Sequence, residues 1–461
     1  MKKIIAITAM AAMVAAAAMA DEPAVDLSIA EFKGDASVTW GVDLDADATT
    51  GRTGFKNEIG ASIKLNIINA GDKSTEGEGV WGEAKVKLDN AFVAKAEGDG
   101  STMGLADGKV LLDTAKIHIG DLYIGIKAGD TQVGKLELPN ALKSSKYGVG
   151  DKGPNATQGL VVGYGNDTFG IDVDFRSLPV GDDYYTDQYA AAAQFELKDL
   201  AGLNVKAGAS FGFDAADFGG TQLGLFGSVG YKLAMGDNNL KISAGVGYDG
   251  NKVGDSLKLQ NGQAAASVLY AWGDEVDENG GVYYLNDESK KRTPGVGVAV
   301  YVPLVKNTYL DIVPAFYSGE LVENLTASAI GEFEIPVGAD WPDGTKIAMA
   351  FAGGVKYKVA VGDAITVTPQ AGFRFADKNY AGGNIGSLFI GDKAENKDNS
   401  GLVDNSFGAD GLFNVKAGVE IGGLIPNTTF EAWYQSRNLL SDDGDPNKKA
   451  GTFNIKAKVT F

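Results

Sequence analysis

The sequence predicts an all-β protein: a single transmembrane antiparallel β-barrel, up-and-down, of about 20 strands (range about 16–20), behind a cleaved signal peptide. Three observations carry this. The chain opens on Met1-Lys2-Lys3, runs apolar from Ile4 to Ala20 with only Thr8 interrupting, and reaches Ala18-Met19-Ala20 before Asp21. A basic start, a short apolar stretch and a small-x-small site make a secretory signal over residues 1–20. Beyond it, no apolar run approaches the roughly 20 residues that a membrane helix needs, so any crossing must use strands. Finally, Phe453, Ile455, Ala457, Val459 and Phe461 alternate with polar or charged residues up to the last position. A strand sends alternate side chains to opposite faces, so this segment has one apolar and one wet face.

That alternation recurs along the mature chain. It appears in Ala36, Val38, Trp40, Val42 and Leu44, then in Ile59, Ala61, Ile63, Leu65 and Ile67, and again over Val80 to Leu88. Ala115, Ile117 and Ile119 flank Lys116 and His118, and a Gly120-Asp121 turn leads to Leu122, Ile124, Ile126 and Ala128. Residues 131–156 lose the period and contain Pro139 and Pro154, which marks a long loop. Two short strands then meet at Gly165-Asn166-Asp167, the second placing Asp172, Asp174 and Arg176 opposite Phe169, Ile171, Val173 and Phe175. Hairpins follow at 189–213 and 223–248. Further strands are expected over 264–272, 296–302, 310–316, 325–335, 347–359, 365–375, 413–421, 428–436 and the C-terminus.

Long connections (131–156, 177–186, 377–411, 437–451) and compact turns (199–202, 235–238, 360–364, 422–427) fall on opposite rims, as an up-and-down barrel requires. The order breaks at 273–294 and 303–308, where a missed strand pair would restore it. With no linker in view, the division expected is 1–20 signal peptide, 21–35 a short N-terminal segment and 36–461 the barrel. Aromatics near strand ends, such as Trp40, Tyr248, Trp272 and Trp433, suit interfacial girdles. An exported water-soluble β protein is the competing reading, because sandwiches alternate too. Charges on the polar faces and the strand number favour the barrel.

Composition excludes several classes. The net charge of −19 becomes −21 once Lys2 and Lys3 leave with the signal, the wrong sign for nucleic acid. There is no Cys, hence no disulfide, thiolate metal site or lipid-modified Cys. A single His118 removes most catalytic triads and every multi-His metal site. Asp442-Asp443-Gly444-Asp445 lacks the distal Glu of a calcium loop. Gly-x-Gly runs at 224–230 and 295–297 lie within expected strands, not before helices. No catalytic residue, cofactor or metal is therefore expected, and the protein reads as a non-enzyme.

The segments Ala36-Ser37-Val38-Thr39-Trp40-Gly41-Val42, Gly54-Phe55-Lys56-Asn57, Gly79-Val80-Trp81-Gly82-Glu83 and Ile119-Gly120-Asp121-Leu122-Tyr123-Ile124-Gly125 resemble the treponemal major outer sheath proteins and the related Tpr family. The resemblance implies an abundant, surface-exposed, trimeric pore that also adheres to host matrix proteins. Some accounts of that family place its N-terminal half in the periplasm. Residues 36–130 alternate as cleanly as 412–461, which gives no reason for that division here.

These readings converge on a porin in the outer membrane of a two-membrane bacterium, surrounded by lipid and passing small hydrophilic solutes. A barrel this wide cannot fill its interior with side chains. Weak cation preference is expected from the excess of acids. Lys116, His118, Asp172, Asp174, Arg176, Lys456 and Lys458 are the candidate pore-lining residues, and Phe461 the candidate assembly signal. The alternative is an adhesin that binds matrix proteins through loops 131–156, 273–294 and 377–411 on a barrel scaffold.

Overall fold

The computed structural model describes residues 30–44, 53–68, 80–90, 109–126, 158–177, 188–214, 222–253, 256–273, 282, 293–304, 308–338, 345–362, 364–380, 411–440 and 451–460. The leader, Phe461, the Asp442–Asp445 run and most of loops 131–156, 273–294 and 377–411 lie outside these residues. Every named element is a strand: β1 (Ala30–Asp43), β2 (Thr53–Ile68), β3 (Val80–Asn90), β4 (Lys109–Ile119), β5 (Leu122–Ile126), β6 (Gln158–Gly165), β7 (Phe169–Ser177), β8 (Gln188–Leu200), β9 (Leu203–Asp214), β10 (Gln222–Met235), β11 (Asn238–Val253), β12 (Ser256–Trp272), β13 (Gly295–Pro303), β14 (Thr308–Tyr317), β15 (Leu325–Val337), β16 (Ala348–Tyr357), β17 (Val359–Val361), β18 (Ile365–Ala376), β19 (Leu412–Ile425), β20 (Thr428–Gln435) and β21 (Thr452–Thr460).

All pairings are antiparallel and join sequential staves. The ring closes where β1 meets β21, from Asp35↔Thr460 to Asp43↔Thr452. Leu44 N donates to Gly451 O at 2.9 Å, carrying the seam one step further. Gly451 has φ +77°, and a Cβ there would meet Gln435 O, so the seam's entry needs glycine. Closure satisfies every stave's backbone sideways, which is the condition for a sheet to sit in lipid.

β16 and β17 are one stave. Both pair with β18 in the same register, from Lys356↔Gln370 to Val359↔Val367. Pro369 falls opposite Tyr357 at the interruption, where it has no N–H to give the ladder. The 21 elements therefore make 20 staves, as the sequence predicts. β1 begins at Ala30, and β1–β8 share the closed sheet with β18–β21, so the N-terminal half belongs to the barrel.

The rims alternate as expected. Loops 131–156 and 377–411 leave one rim, with the compact turns at the other. β12 pairs directly with β13, from Ala271↔Gly295 to Gln263↔Pro303, which leaves no place for an extra strand pair. The connection 273–294 therefore remains a long one on the short-turn rim, closed at its neck by Trp272 N donating to Pro294 O at 2.9 Å.

β11 and β12 run longer than the alternation indicated. Residues 249–253 and 256–261 continue the ladder across a bulge at Asp249/Gly250, and Asn261 Nδ2 donates to Asp249 Oδ1 at 2.8 Å.

Candidate functional site: the inner wall of the barrel

Register sorts every stave into two faces. On one, Val205, Val229, Ala244 and Ala266 line up across β9 to β12, and Val229, Val246 and Val268 are among the exposed large apolar side chains of that face. An exposed convex face this apolar is the lipid side. The opposite, inner face carries the charges.

By register, Lys116, His118, Asp172, Asp174, Lys456 and Lys458 take positions in that inward phase. Lys116 lies opposite Gly125 with its Nζ 4.4 Å above the Tyr123 ring. His118 pairs with Tyr123, ring centroids 5.5 Å apart. Asp172 sits half-buried between Gly163 and Gln194, and Asp174 is 2% exposed between Val161 and Ala192. Arg176 takes the register position between Gly159 and Ala190. Lys456 lies between Glu431 and Thr39, and Lys458 between Thr429 and Ser37. Lys116, His118 and Asp172 gather round Tyr123, because a Cβ on Gly163 would meet both the Tyr123 ring and Asp172 Oδ1, whereas Lys456 and Lys458 on β21 stand in another part of the ring.

Sequence reading missed a second constellation. Asp311 on β14 lies opposite both Tyr301 on β13 and Glu334 on β15. With Glu332, two residues along the same face, these carboxylates offer oxygens within 4.8 Å of one another, and all three are fully buried. Ala350 and Ala348 lie opposite Glu332 and Glu334 on β16, small enough to leave room above them. Tyr380, from the connection after β18, fills that room and donates its hydroxyl to Glu332 Oε2 at 2.7 Å. Tyr380 lies outside the membrane-spanning strands; burial, then the Glu332 charge, push its phenol above the ordinary range. One rim-side signal was legible: Asp311, Glu332 and Glu334 all occupy the polar phase of their strands.

Below them the wall is apolar. Leu269, Ala271, Ala299, Val313 and Ala315 share a buried cluster with Val282, which the 273–294 connection contributes. Val282 Cγ2 would stand 3.2 Å from a Cβ placed on Gly297, so glycine at 297 admits it. On the seam side, Lys416 Nζ lies 4.9 Å over the Trp433 ring and Gln370 Nε2 donates to Glu431 Oε1 at 3.2 Å.

No family model matches the chain. It is 30% identical to the major surface protein MspTL of Treponema lecithinolyticum, over 99% of this chain and 96% of that one. It is 28% identical to the major outer membrane protein MspA of Treponema maltophilum, over 96% and 97%. Among solved structures, Acinetobacter baumannii OccAB2 matches at a TM-score of 0.39 and 9% identity, over 94% of this chain and 98% of that one. A Rh. blastica porin variant matches at 0.36 and 10%, over 94% and 100%. Likeness at those scores adds nothing to the closed strand order described above. The full-length identity to MspTL does: the chain belongs to the family of treponemal major surface proteins, non-enzymatic proteins of the outer membrane.

Proposed function

We propose that the barrel is a diffusion channel for small hydrophilic solutes. The observation that carries the proposal is a closed ring of 20 staves whose outer face is apolar and whose inner face is charged. Lipid requires the first face, and a water column is what the second face stabilises. Lys116, His118, Asp172, Asp174, Arg176, Lys456 and Lys458 line that column. Purified protein added to a planar bilayer should give discrete conductance steps. Protein that enters the bilayer without conducting would refute the channel.

The family resemblance favours a trimer, which conductance steps grouped in threes would reveal. The charge of the whole chain favours weak cation preference, but only charges that reach the water column act on a permeating ion. A second reading, adhesion to host matrix proteins, is supported by the gathering of long connections on one rim. Only 131–156 and 377–411 fit it, because 273–294 leaves the opposite rim. Deleting residues 381–410 should abolish matrix binding while conductance persists.

A further inference from the structure

We infer that the connection between β12 and β13 enters the barrel from the short-turn rim and narrows the water column there, with Val282 as the residue that seats it. The inference rests on the channel reading above and deepens it, by naming what sets the size of the solutes that pass.

Register defines the seat. Leu269 on β12 lies opposite Gly297 on β13, and Gly297 lies opposite Ala315 on β14. The adjoining Val268 and Val298, which point the other way, are 43% and 40% exposed on the lipid face. Leu269, Gly297 and Ala315 therefore face the inside of the closed ring. Val282 is 1% exposed within a cluster that includes Leu269 and Ala315, and a Cβ built on Gly297 would stand 3.2 Å from Val282 Cγ2. Val282 cannot reach that spot from the lipid side, because the continuous β12–β13–β14 sheet lies between.

The connection begins and ends at the rim, where Trp272 N donates to Pro294 O. Val282, about midway along it, is seated against residues two or three positions inside the strand ends. At about 3.3 Å per strand residue, that is roughly 7–10 Å along the staves. Burial is not the default for an apolar residue of this rim. The turn between β14 and β15 leaves from the same rim, and its Leu321 and Val322 are 52% and 57% exposed.

Tyr380 covers the neighbouring inner face of β15 and β16 from the opposite rim, through its bond to Glu332. The wall from β12 to β16 is thus covered from both ends. The water column is displaced toward β18–β21, where Gln370, Glu420 and Lys456 remain at least partly exposed. Because the seat at Val282 is apolar, the narrowing acts on solute size.

The test is single-channel conductance of the full-length protein in planar bilayers, with exclusion of uncharged polyethylene glycols of graded size. Replacing residues 276–291 by a short Gly-Ser linker should raise the conductance and shift the polymer cut-off to larger sizes. The ring survives that change, since β12 pairs directly with β13. Val282→Asp, which puts a charge into an apolar seat, should shift both readouts in the same direction. The shortened form keeps the test decisive should Val282→Asp fail to assemble. Val322→Asp, on the exposed turn of the same rim, should leave both readouts unchanged. A shortened connection with wild-type conductance and cut-off would overturn the inference while leaving the channel intact, as would a Val322→Asp shift equal to that of Val282→Asp. A non-conducting wild type would overturn the channel reading and the narrowing with it.

Discussion

Placing an arginine at Val229 tests which face of the sheet meets lipid. Val229 is the eighth of the fourteen residues of β10, so it sits near mid-height, and its side chain is 44% exposed. Its register neighbours, Val205 and Ala244, are apolar and offer no partner for a guanidinium. A cationic side chain at the lipid midplane costs a barrel about 2–4 kcal/mol. That is roughly a 25- to 700-fold loss in the folding constant. Ser228, one residue earlier, points inward between Lys206 and Gly245. An arginine there meets only repulsion from Lys206, about 1 kcal/mol for unit charges about 4 Å apart in water. Urea unfolding of protein refolded into liposomes, followed by tryptophan fluorescence, should therefore rank Val229→Arg well below Ser228→Arg. If Ser228→Arg is the more damaging of the two, the assignment of inner and outer faces is wrong, and the reading of the wetted wall falls with it.

Three further outcomes follow from particular contacts. Val38 and Ala457 are partners across the closing seam, and antiparallel partners lie about 4.5–5.5 Å apart at Cα, within disulfide reach. Because the chain has no cysteine of its own, Val38→Cys with Ala457→Cys should give one intramolecular disulfide, seen as a gel shift that reductant reverses. A persistently reduced pair would mean that β1 does not close the ring. Tyr380→Phe removes a hydroxyl donated to Glu332 and should cost about 1.5–3 kcal/mol in the same unfolding assay. The folded phenol titrates above the unfolded value of about 10, so its contribution is complete below pH ~10 and is lost as pH rises beyond it. Tyr380→Phe should therefore flatten the alkaline fall in stability, and an unchanged slope would place that fall elsewhere. Deleting Phe461 should lower the yield of assembled barrel before it alters conductance, and normal membrane assembly of the truncated chain would remove its role as an insertion signal.

How much of this was legible in the sequence depends on where lipid acts. Inside the membrane, lipid forces every outward position to be apolar, so the period of two survives and each stave can be read alone. Where a strand projects into water that constraint ends. Residues 249–252 show it: Asp249, Gly250, Asn251 and Lys252 carry the β11 side of the ladder with no apolar phase to announce it, although Leu257 and Leu259 on β12 keep one. The same limit governs the site. That Lys456 and Lys458 sit on the wet face follows from β21 alone, because their neighbours are Ile455, Ala457 and Val459. That Asp311 and Glu334 are hidden does not follow from β14 or β15. It depends on cross-strand register and on Tyr380, delivered by a connection with no periodic signal. Net charge sums over both kinds of residue and over the loops, so it weighs a carboxylate sealed beneath Tyr380 equally with a lysine in the column. Only the folded ring separates them, so net charge alone does not set the sign of selectivity, while the predicted fold is untouched.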